Sequence, residues 1–235
     1  MALRTQVCSV SDLSSMQVRE MLALMAEYYD NVQPDVFRED LQEKQNIILL
    51  RRQSGALAGF STQKIFMHAF GGQDYRVVFS GDTIVDPACW GRVDFPMALL
   101  RWMLEVWRED RSRPLLWMLI CKGMRVYRLL PLFFKTFYPS CEYATPPQVR
   151  QLMHDLGRIR YPGRYRPESG LVKTARESNH LNAHLALIPE HRRKERHIAF
   201  FCQKNPNYAA GDELLCLARI EPQNIKSSIL NRLGR

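Results

Sequence analysis

Arg76-Val-Val-Phe-Ser-Gly-Asp-Thr-Ile-Val-Asp86 is an apolar run with strand character, followed by a short turn containing Pro87, Trp90, Gly91 and Arg92 and by a long helical pattern from Asp94 to Arg108. A strand that passes through a glycine turn into a helix aims several backbone N–H groups, and the positive end of the helix dipole, at one small region. That region suits a phosphate. The turn lacks the second and third glycines of a dinucleotide fingerprint and the Lys-Ser/Thr pair of a nucleotide-phosphate loop, so neither of those readings is supported.

Upstream, Leu3 to Val10 reads as a strand. Ser11 and Asp12 cap a helix in which Val18, Met21, Leu22, Met25, Tyr28 and Tyr29 recur at helical spacing. Pro34 opens a second short helix, 35–44, with Val36, Phe37 and Leu41 on its apolar side. Residues 46–52, 56–70 and 75–86 read as three consecutive antiparallel strands joined by the turn sequences at Gly55 and at Gly71-Gly72.

Downstream, Phe95, Leu99, Trp102, Met103, Val106 and Trp107 form the apolar stripe of the long helix. Leu115 to Cys121 is a continuous apolar run of the kind found in a buried parallel strand. Gly123 ends it, and 125–138 reads as a very apolar helix, kinked at Pro131 and stopped by Pro139. Thereafter the sequence predicts a helix from Pro147 to about Leu156, a basic aromatic loop over 158–167, a basic helix over 190–203, a closing strand over 214–220 and a terminal helix.

The chain has 235 residues, 46% hydrophobic content and a formal charge of +9, which points to a globular protein with an anionic partner. Its six cysteines lack metal or redox spacing and read as reduced thiols of a cytoplasmic protein, with no metal site expected. No apolar run reaches the ~18 residues of a membrane span. No nucleic-acid motif is present, and the sequence leaves the oligomeric state open.

The order strand, two helices, three-strand meander, turn, helix, parallel strand resembles the GNAT N-acetyltransferase superfamily. The turn Trp90-Gly91-Arg92-Val93-Asp94-Phe95 resembles a degenerate form of that family's Arg/Gln-x-x-Gly-x-Gly/Ala motif. Leu130-Pro-Leu-Phe-Phe-Lys-Thr-Phe-Tyr138 is similar in length and pattern to its closing motif, with Phe134 where a tyrosine usually stands. The wording of Phe79 to Pro87 and of Cys121 to Arg128 resembles maturases that attach fatty acyl chains to lysine or ornithine side chains of ribosomally made peptides.

The resemblance implies an α/β (α+β-like) GNAT fold with a mixed, splayed central sheet flanked by helices. Residues 1–140 would be the acyltransferase core, and 141–235 an extension that completes the sheet and covers the cleft. It implies N-acyl transfer, with a fatty acyl thioester of coenzyme A or of acyl carrier protein as co-substrate and a precursor-peptide amine as acceptor. The rival expectation is a non-catalytic module that binds acyl carrier protein or another acidic partner.

Asp82 is the leading general base, because a carboxylate inside an apolar strand is costly unless it is bonded or functional; a structural pairing with Arg76 or Lys122 is the alternative. His68 is a second candidate base, and Tyr127 a substitute general acid whose bland reading is a packed aromatic. Ile84 and Val85 are candidates for backbone contacts to the donor. Trp90, Gly91, Arg92 and Val93 form the phosphate turn, and Lys122 and Arg128 are positioned for phosphates or an acidic carrier. Tyr28, Tyr29 and Phe37 could border the acceptor pocket. Trp90, Phe95, Trp117, Met118, Phe133 and Phe134 could make an acyl tunnel. The arginines at 158, 160, 164 and 166, with the basic cluster 191–197, would recognise an acidic partner.

Overall fold

Ser14, not Ser11 or Asp12, caps the first helix. Its side chain accepts from the Gln17 N–H while the Gln17 side chain accepts from the Ser14 N–H, so two end amides are satisfied reciprocally. The computed structural model describes residues 2–174 and 179–234. The chain runs β1 (Leu3–Ser9), α1 (Ser15–Tyr28), β2 (Tyr29–Asp30), α2 (Pro34–Gln42), β3 (Asn46–Arg52), β4 (Leu57–Phe70), β5 (Gln73–Val85), α3 (Asp94–Glu109), β6 (Leu115–Cys121), α4 (Met124–Tyr127) and α5 (Leu129–Phe133). Then follow α6 (Pro147–Arg160), β7 (Tyr165–Arg166), β8 (Leu171–Val172), β9 (His180–Leu181), α7 (Ala183–Ala186), α8 (Glu190–Arg193), α9 (Arg196–Lys204), β10 (Glu213–Ile220) and α10 (Ser227–Leu233).

One eight-stranded mixed sheet, in the order β1-β3-β4-β5-β6-β10-β8-β7, carries the fold. Every neighbouring pair is antiparallel except β5 and β6, which are parallel and joined by α3 as the crossover. Residues after 140 therefore supply three strands of the sheet. A two-stranded sheet ties β2, at the end of α1, to β9.

Both faces are covered. On one, Val78, Leu115, Trp117 and Leu119 pack under the α3 residues Leu99, Trp102 and Met103, and Phe133, Phe134 and Phe201 extend that cluster. On the other, Val77, Phe79, Leu116 and Met118 meet α6, and Ile47, Leu49, Phe60 and Ile84 meet α1 and α2.

Two features of β5 make the site. The first is a bulge: Ser61 faces Thr83, but Gln63 faces Ser80, so three steps along β5 match two along β4. The second is a splay. Arg76–Ser80 pair with Leu115–Leu119, after which β5 stays with β4 as far as Val85 while β6 stays with β10 as far as Cys121. From Gly81 onward β5 and β6 share no pairing, and a gap opens between them.

Several sequence expectations change. The helix expected over 125–138 is two short helical pieces meeting at Arg128, after which Phe134 to Tyr138 is non-helical, with isolated bridges from Phe134 to Ile225 and from Tyr138 to Leu217. Pro131, without an N–H and with a ring that crowds the preceding turn, is tolerated only in the first turn of the second piece. Helix α6 runs on to Arg160, into the region expected to be a loop, and Tyr165–Arg166 is an edge strand. The basic helix is split at Lys194 and Glu195 into α8 and α9. Among the described residues no helix is long and apolar enough to cross a membrane, and no group of three or more His, Cys, Asp or Glu side chains could hold a metal ion.

Candidate active site

The β5 bulge faces a cavity of about 520 Å³. Its walls come from the end of α1, β2 and α2 (Met25, Tyr29, Val36, Phe37, Asp40), from β5 (Phe79 to Thr83) and from β6 and its sequel (Leu119, Ile120, Lys122, Val126). The part of the chain after 140 closes it with Arg160, Tyr161, Arg164, Thr174, Asn179 and Glu213.

Glycine at position 81 is a packing requirement. A Cβ there would lie 2.7 Å from Thr62 Oγ1 and 2.8 Å from Lys44 Cε, so the absent side chain is the space through which Lys44 passes. The Lys44 side chain is fully buried; its Nζ lies 2.6 Å from Asp40 Oδ2 and donates to the Asp40 carbonyl at 2.9 Å. Arg160 sits 3.6 Å from Asp40 and 3.2 Å from Glu43, with its guanidinium over the Phe79 ring and its Nε buried without a partner.

Across the cavity Lys122 lies 3.7 Å from the buried Glu213 carboxylate, donates to the Asn179 carbonyl at 3.0 Å and to its side chain, and stands 5.5 Å from the Tyr29 ring centre. Burial pushes the Glu213 carboxyl up, partly offset by Lys122 and Arg164. Burial likewise holds the Tyr29 and Tyr161 hydroxyls well above their ordinary range, helped for Tyr29 by Asp82 and Glu213 and for Tyr161 first by Glu213. Both stay protonated at neutral pH.

Asp82 differs from the other two cavity carboxylates. Asp40 has Lys44 and Arg160, and Glu213 has Lys122; among the described residues no hydrogen bond or ion pair closes on Asp82. Its carboxyl is pushed up to about 6, first by burial and next by Asp40, with Lys122 and Lys44 pulling the other way. A carboxyl in that range is ionised at pH 7 yet basic enough to take a proton.

A chain of buried hydrogen bonds underlies the bulge. Trp117 Nε1 donates to Ser80 Oγ at 2.8 Å, Ser80 to Gln63 Oε1 at 2.7 Å and Gln63 Nε2 to Ser61 Oγ at 2.7 Å, and Ser61 and Thr83 hydroxyls meet at 2.7 Å. Since indole can only donate, the chain runs one way as far as Ser61. Thr83 Oγ1 also lies 3.5 Å from the Gly81 carbonyl.

Backbone direction in the splayed part follows from alternation. The Asp86 N–H donates to the Ala58 carbonyl, and the Ile84 carbonyl points at Gly59, so both face β4. The amides of Thr83 and Val85 therefore face the gap, and that of Ile84 does not. Alternation carried straight through 80–85 would instead aim the Ile84 amide at the gap, and the bulge reverses it.

The other sequence candidates scatter. Trp90 Nε1 donates to the Val85 carbonyl at 2.8 Å, and the Arg125 guanidinium lies 3.4 Å from the Trp90 ring centre while bonding the Leu185 carbonyl, which bridges the mouth of the gap. Gly91 has φ +83, the left-handed conformation that glycine tolerates. Val93 caps α3 without a side-chain bond, and Arg92 pairs with Asp94 at 2.9 Å, which lowers the Asp94 carboxyl. Arg128 is outside the cavity, 3.9 Å from Glu195.

Tyr127 cannot serve the cavity as an acid. It is fully buried among Phe137, Phe200 and Phe201, and its hydroxyl donates to the Pro139 carbonyl at 3.0 Å. His68 is also displaced, 3.1 Å from Asp155 and outside the cavity lining. Phe95, Trp117, Met118, Phe133 and Phe134 are core residues and do not line the cavity. Tyr29 and Phe37 do line it. Of the arginines expected on an outer recognition face, Arg160 and Arg164 point into the cavity instead. Lys44, Asp40 and Glu213 sit in segments with no sequence motif of their own, and Tyr161, which the sequence places in the basic aromatic stretch expected to meet an acidic partner, lines the cavity instead.

No protein-family model matches the chain, and no curated protein matches it significantly. Similar solved structures include a protein from Enterococcus faecalis V583 described as a probable N-acyltransferase, at 16% identity and TM-score 0.43 over 58% of this chain. The chain spans only 33% of that protein. A GNAT family N-acetyltransferase from Escherichia coli in complex with CoA is 12% identical, with TM-score 0.39 over 55% of this chain and 69% of its own. An acyl-CoA N-acyltransferase from Pseudomonas aeruginosa is 17% identical, with TM-score 0.38 over 50% and 79%.

Proposed function

We propose that the chain is an N-acyltransferase that moves an acyl group from a thioester, of coenzyme A or acyl carrier protein, to a primary amine such as a lysine or ornithine side chain of a peptide. The observation that carries this reading is Asp82: an unpaired carboxylate with a pKa of about 6, in a cavity that adjoins the gap between two splayed parallel strands.

In this reading the acceptor enters as an ammonium, and Asp82 takes its proton. The free amine attacks the thioester carbonyl carbon. The carbonyl oxygen accepts from the gap-facing amides of Thr83 or Val85, as developing negative charge requires. The C–S bond then breaks, and the thiolate takes a proton from Tyr29, whose buried hydroxyl remains protonated until that step; the nitrogen sheds its second proton to the tyrosinate as the amide forms, which restores Tyr29, and the proton held by Asp82 passes to solvent. Room for an acyl chain lies against Met25, Val36, Phe37 and Val126, not among the core aromatics.

The test is incubation with acetyl-, octanoyl- and palmitoyl-CoA, and with the matching acyl carrier protein thioesters, in the presence of lysine- and ornithine-containing peptides. The expected result is one acyl mass gained on the peptide amine per thiol released. No peptide acylation with any donor, alongside measurable donor binding, would favour a non-catalytic binding module.

A further inference from the structure

Apart from the cavity, one cluster of reactive side chains joins a nucleophile, a base and an orienting group. Cys141 Sγ lies 3.3 Å from His197 Nδ1, and the other ring nitrogen, Nε2, is 3.7 Å from Glu142 Oε1. The sequence separates Cys141 and His197 widely; the fold joins them because α9 packs against the segment that follows Tyr138. None of the three residues lines the cavity around Asp82.

We propose that Cys141 is a second nucleophilic site, a thiol that accepts an acyl group from an acyl thioester by thiol exchange. Three further features support it. Cys141 is partly accessible, unlike the buried Cys89, Cys121 and Cys216. It opens onto a shallow groove of mixed lining, in which Ala144, Ala199 and Phe200 stand beside Glu142, Arg196 and Gln203. Arg196 also donates to the Cys141 carbonyl at 3.2 Å and stands 3.6 Å from Glu142, which fixes a cation beside the thiol where an anionic thioester carrier would approach.

The groups facing the imidazole are Glu142, Arg196 and Lys226, and its pKa is lowered first by burial, with Glu142 opposing and the two cations reinforcing. The ring is therefore neutral at pH 7 and able to accept the thiol proton through Nδ1.

The step balances. The Cys141 S–H proton passes to His197 Nδ1, the thiolate attacks the thioester carbonyl carbon, and the C–S bond to the carrier breaks. His197 then returns the proton to the departing thiolate. The products are S-acyl Cys141 and one free carrier thiol; nothing is oxidised or reduced. Glu142 is a positioning residue that keeps the proton-accepting nitrogen toward sulfur.

The experiment uses the full chain with acetyl-CoA and octanoyl-CoA and no amine, read by peptide mass mapping and by hydroxylamine lability. A parallel measurement follows iodoacetamide alkylation of each cysteine against pH. Cys141 should be acylated and alkylated at least tenfold faster than Cys8 and Cys202, the other partly accessible thiols. His197→Gln should remove most of that excess, since a positioned base contributes about 10²–10⁴-fold. Glu142→Gln should shift the alkylation profile along pH while leaving the thermal melt in place. Equal rates at all three thiols in the unmodified protein would overturn the proposal without recourse to any variant. Fast alkylation of Cys141 with no acylation by either thioester would overturn the assignment of its substrate.

Discussion

Asp82→Asn should make the protein more stable and less active, and the structure gives the size of the first effect. The carboxyl rises from its ordinary 3.8 to about 6, chiefly through burial. A difference of that size is worth about 3 kcal/mol between folded and unfolded states at pH values above 6. Because the folded pKa is the higher one, the folded state holds the proton more tightly between pH 4 and 6. Stability therefore falls as pH rises through that window, and the full penalty of an ionised Asp82 stands at pH 7 to 8. Asparagine keeps the shape without the charge, so urea denaturation should show a gain of up to about 3 kcal/mol at pH 8 that fades by pH 4. Acyl transfer to a peptide amine should fall by about 10²–10⁴-fold in kcat at pH 7.5, with a smaller change in donor affinity. The residual pH dependence with an inflection near 6 should also vanish. A variant less stable than the parent at pH 8 would refute the reasoning, because it would mean that Asp82 is held by a favourable bond and not exposed to the cavity as an unpaired base.

Two further substitutions probe the surroundings. Lys122→Ala leaves Glu213 buried without its cation and should cost about 3 kcal/mol at pH 8; since the Glu213 pKa is already raised, the loss should shrink as pH falls and the carboxyl takes a proton, and a loss of equal size at pH 8 and pH 5 would exclude the charge account. Gly81→Ala drives a methyl group into Thr62 and the Lys44 stem; overpacking of that kind costs about 1–3 kcal/mol, which for a chain of this size lowers Tm by roughly 3–10 °C, and an unchanged melt would show that Lys44 can move aside.

The parts of this fold that were legible in the sequence are those with a local cause. The apolar run 76–85, the turn at Gly91 and the stripe of α3 announce strand, turn and helix by composition and period alone, and the observed parallel pairing of β5 with β6 follows from the intervening helix. Asp82 stood out because a charge in such a strand needs a reason. The bulge was not legible, since nothing in Ser80-Gly-Asp-Thr83 states that β4 matches three steps with two. One inserted residue reverses every later side chain and amide, which is why Val85 and not Ile84 aims its N–H at the gap. The 125–138 segment misled for the opposite reason: its apolar content suits a helix, but the Pro131 backbone does not, and tertiary bridges at Phe134 and Tyr138 decide the outcome. Arg160 and Arg164 looked like surface charge because a basic, aromatic stretch reads the same whether it faces solvent or a cavity.

The pairing pattern in the cavity accounts for why Asp82, among the described cavity carboxylates, is the one left unpaired. Two cations lie near enough to influence it, and both are committed elsewhere. Lys44 is fixed by Asp40 at 2.6 Å, and its stem passes through the space that Gly81 leaves empty, so it cannot swing toward Asp82 without abandoning a carboxylate in a buried site. Lys122 is tied by Asn179 and shares Glu213, whose own burial makes release costly. Each cation thus lowers the Asp82 pKa through space without bonding it, while Asp40 raises it from the side already neutralised by Lys44 and Arg160. Burial wins the balance by about two decades in proton affinity relative to an ordinary aspartate. The residues that hold this balance come from α2, the loop after it, the residue that follows β6, the end of α6, the residue before β9, and β10, so the basicity of Asp82 is a property of the closed fold and not of the strand that carries it.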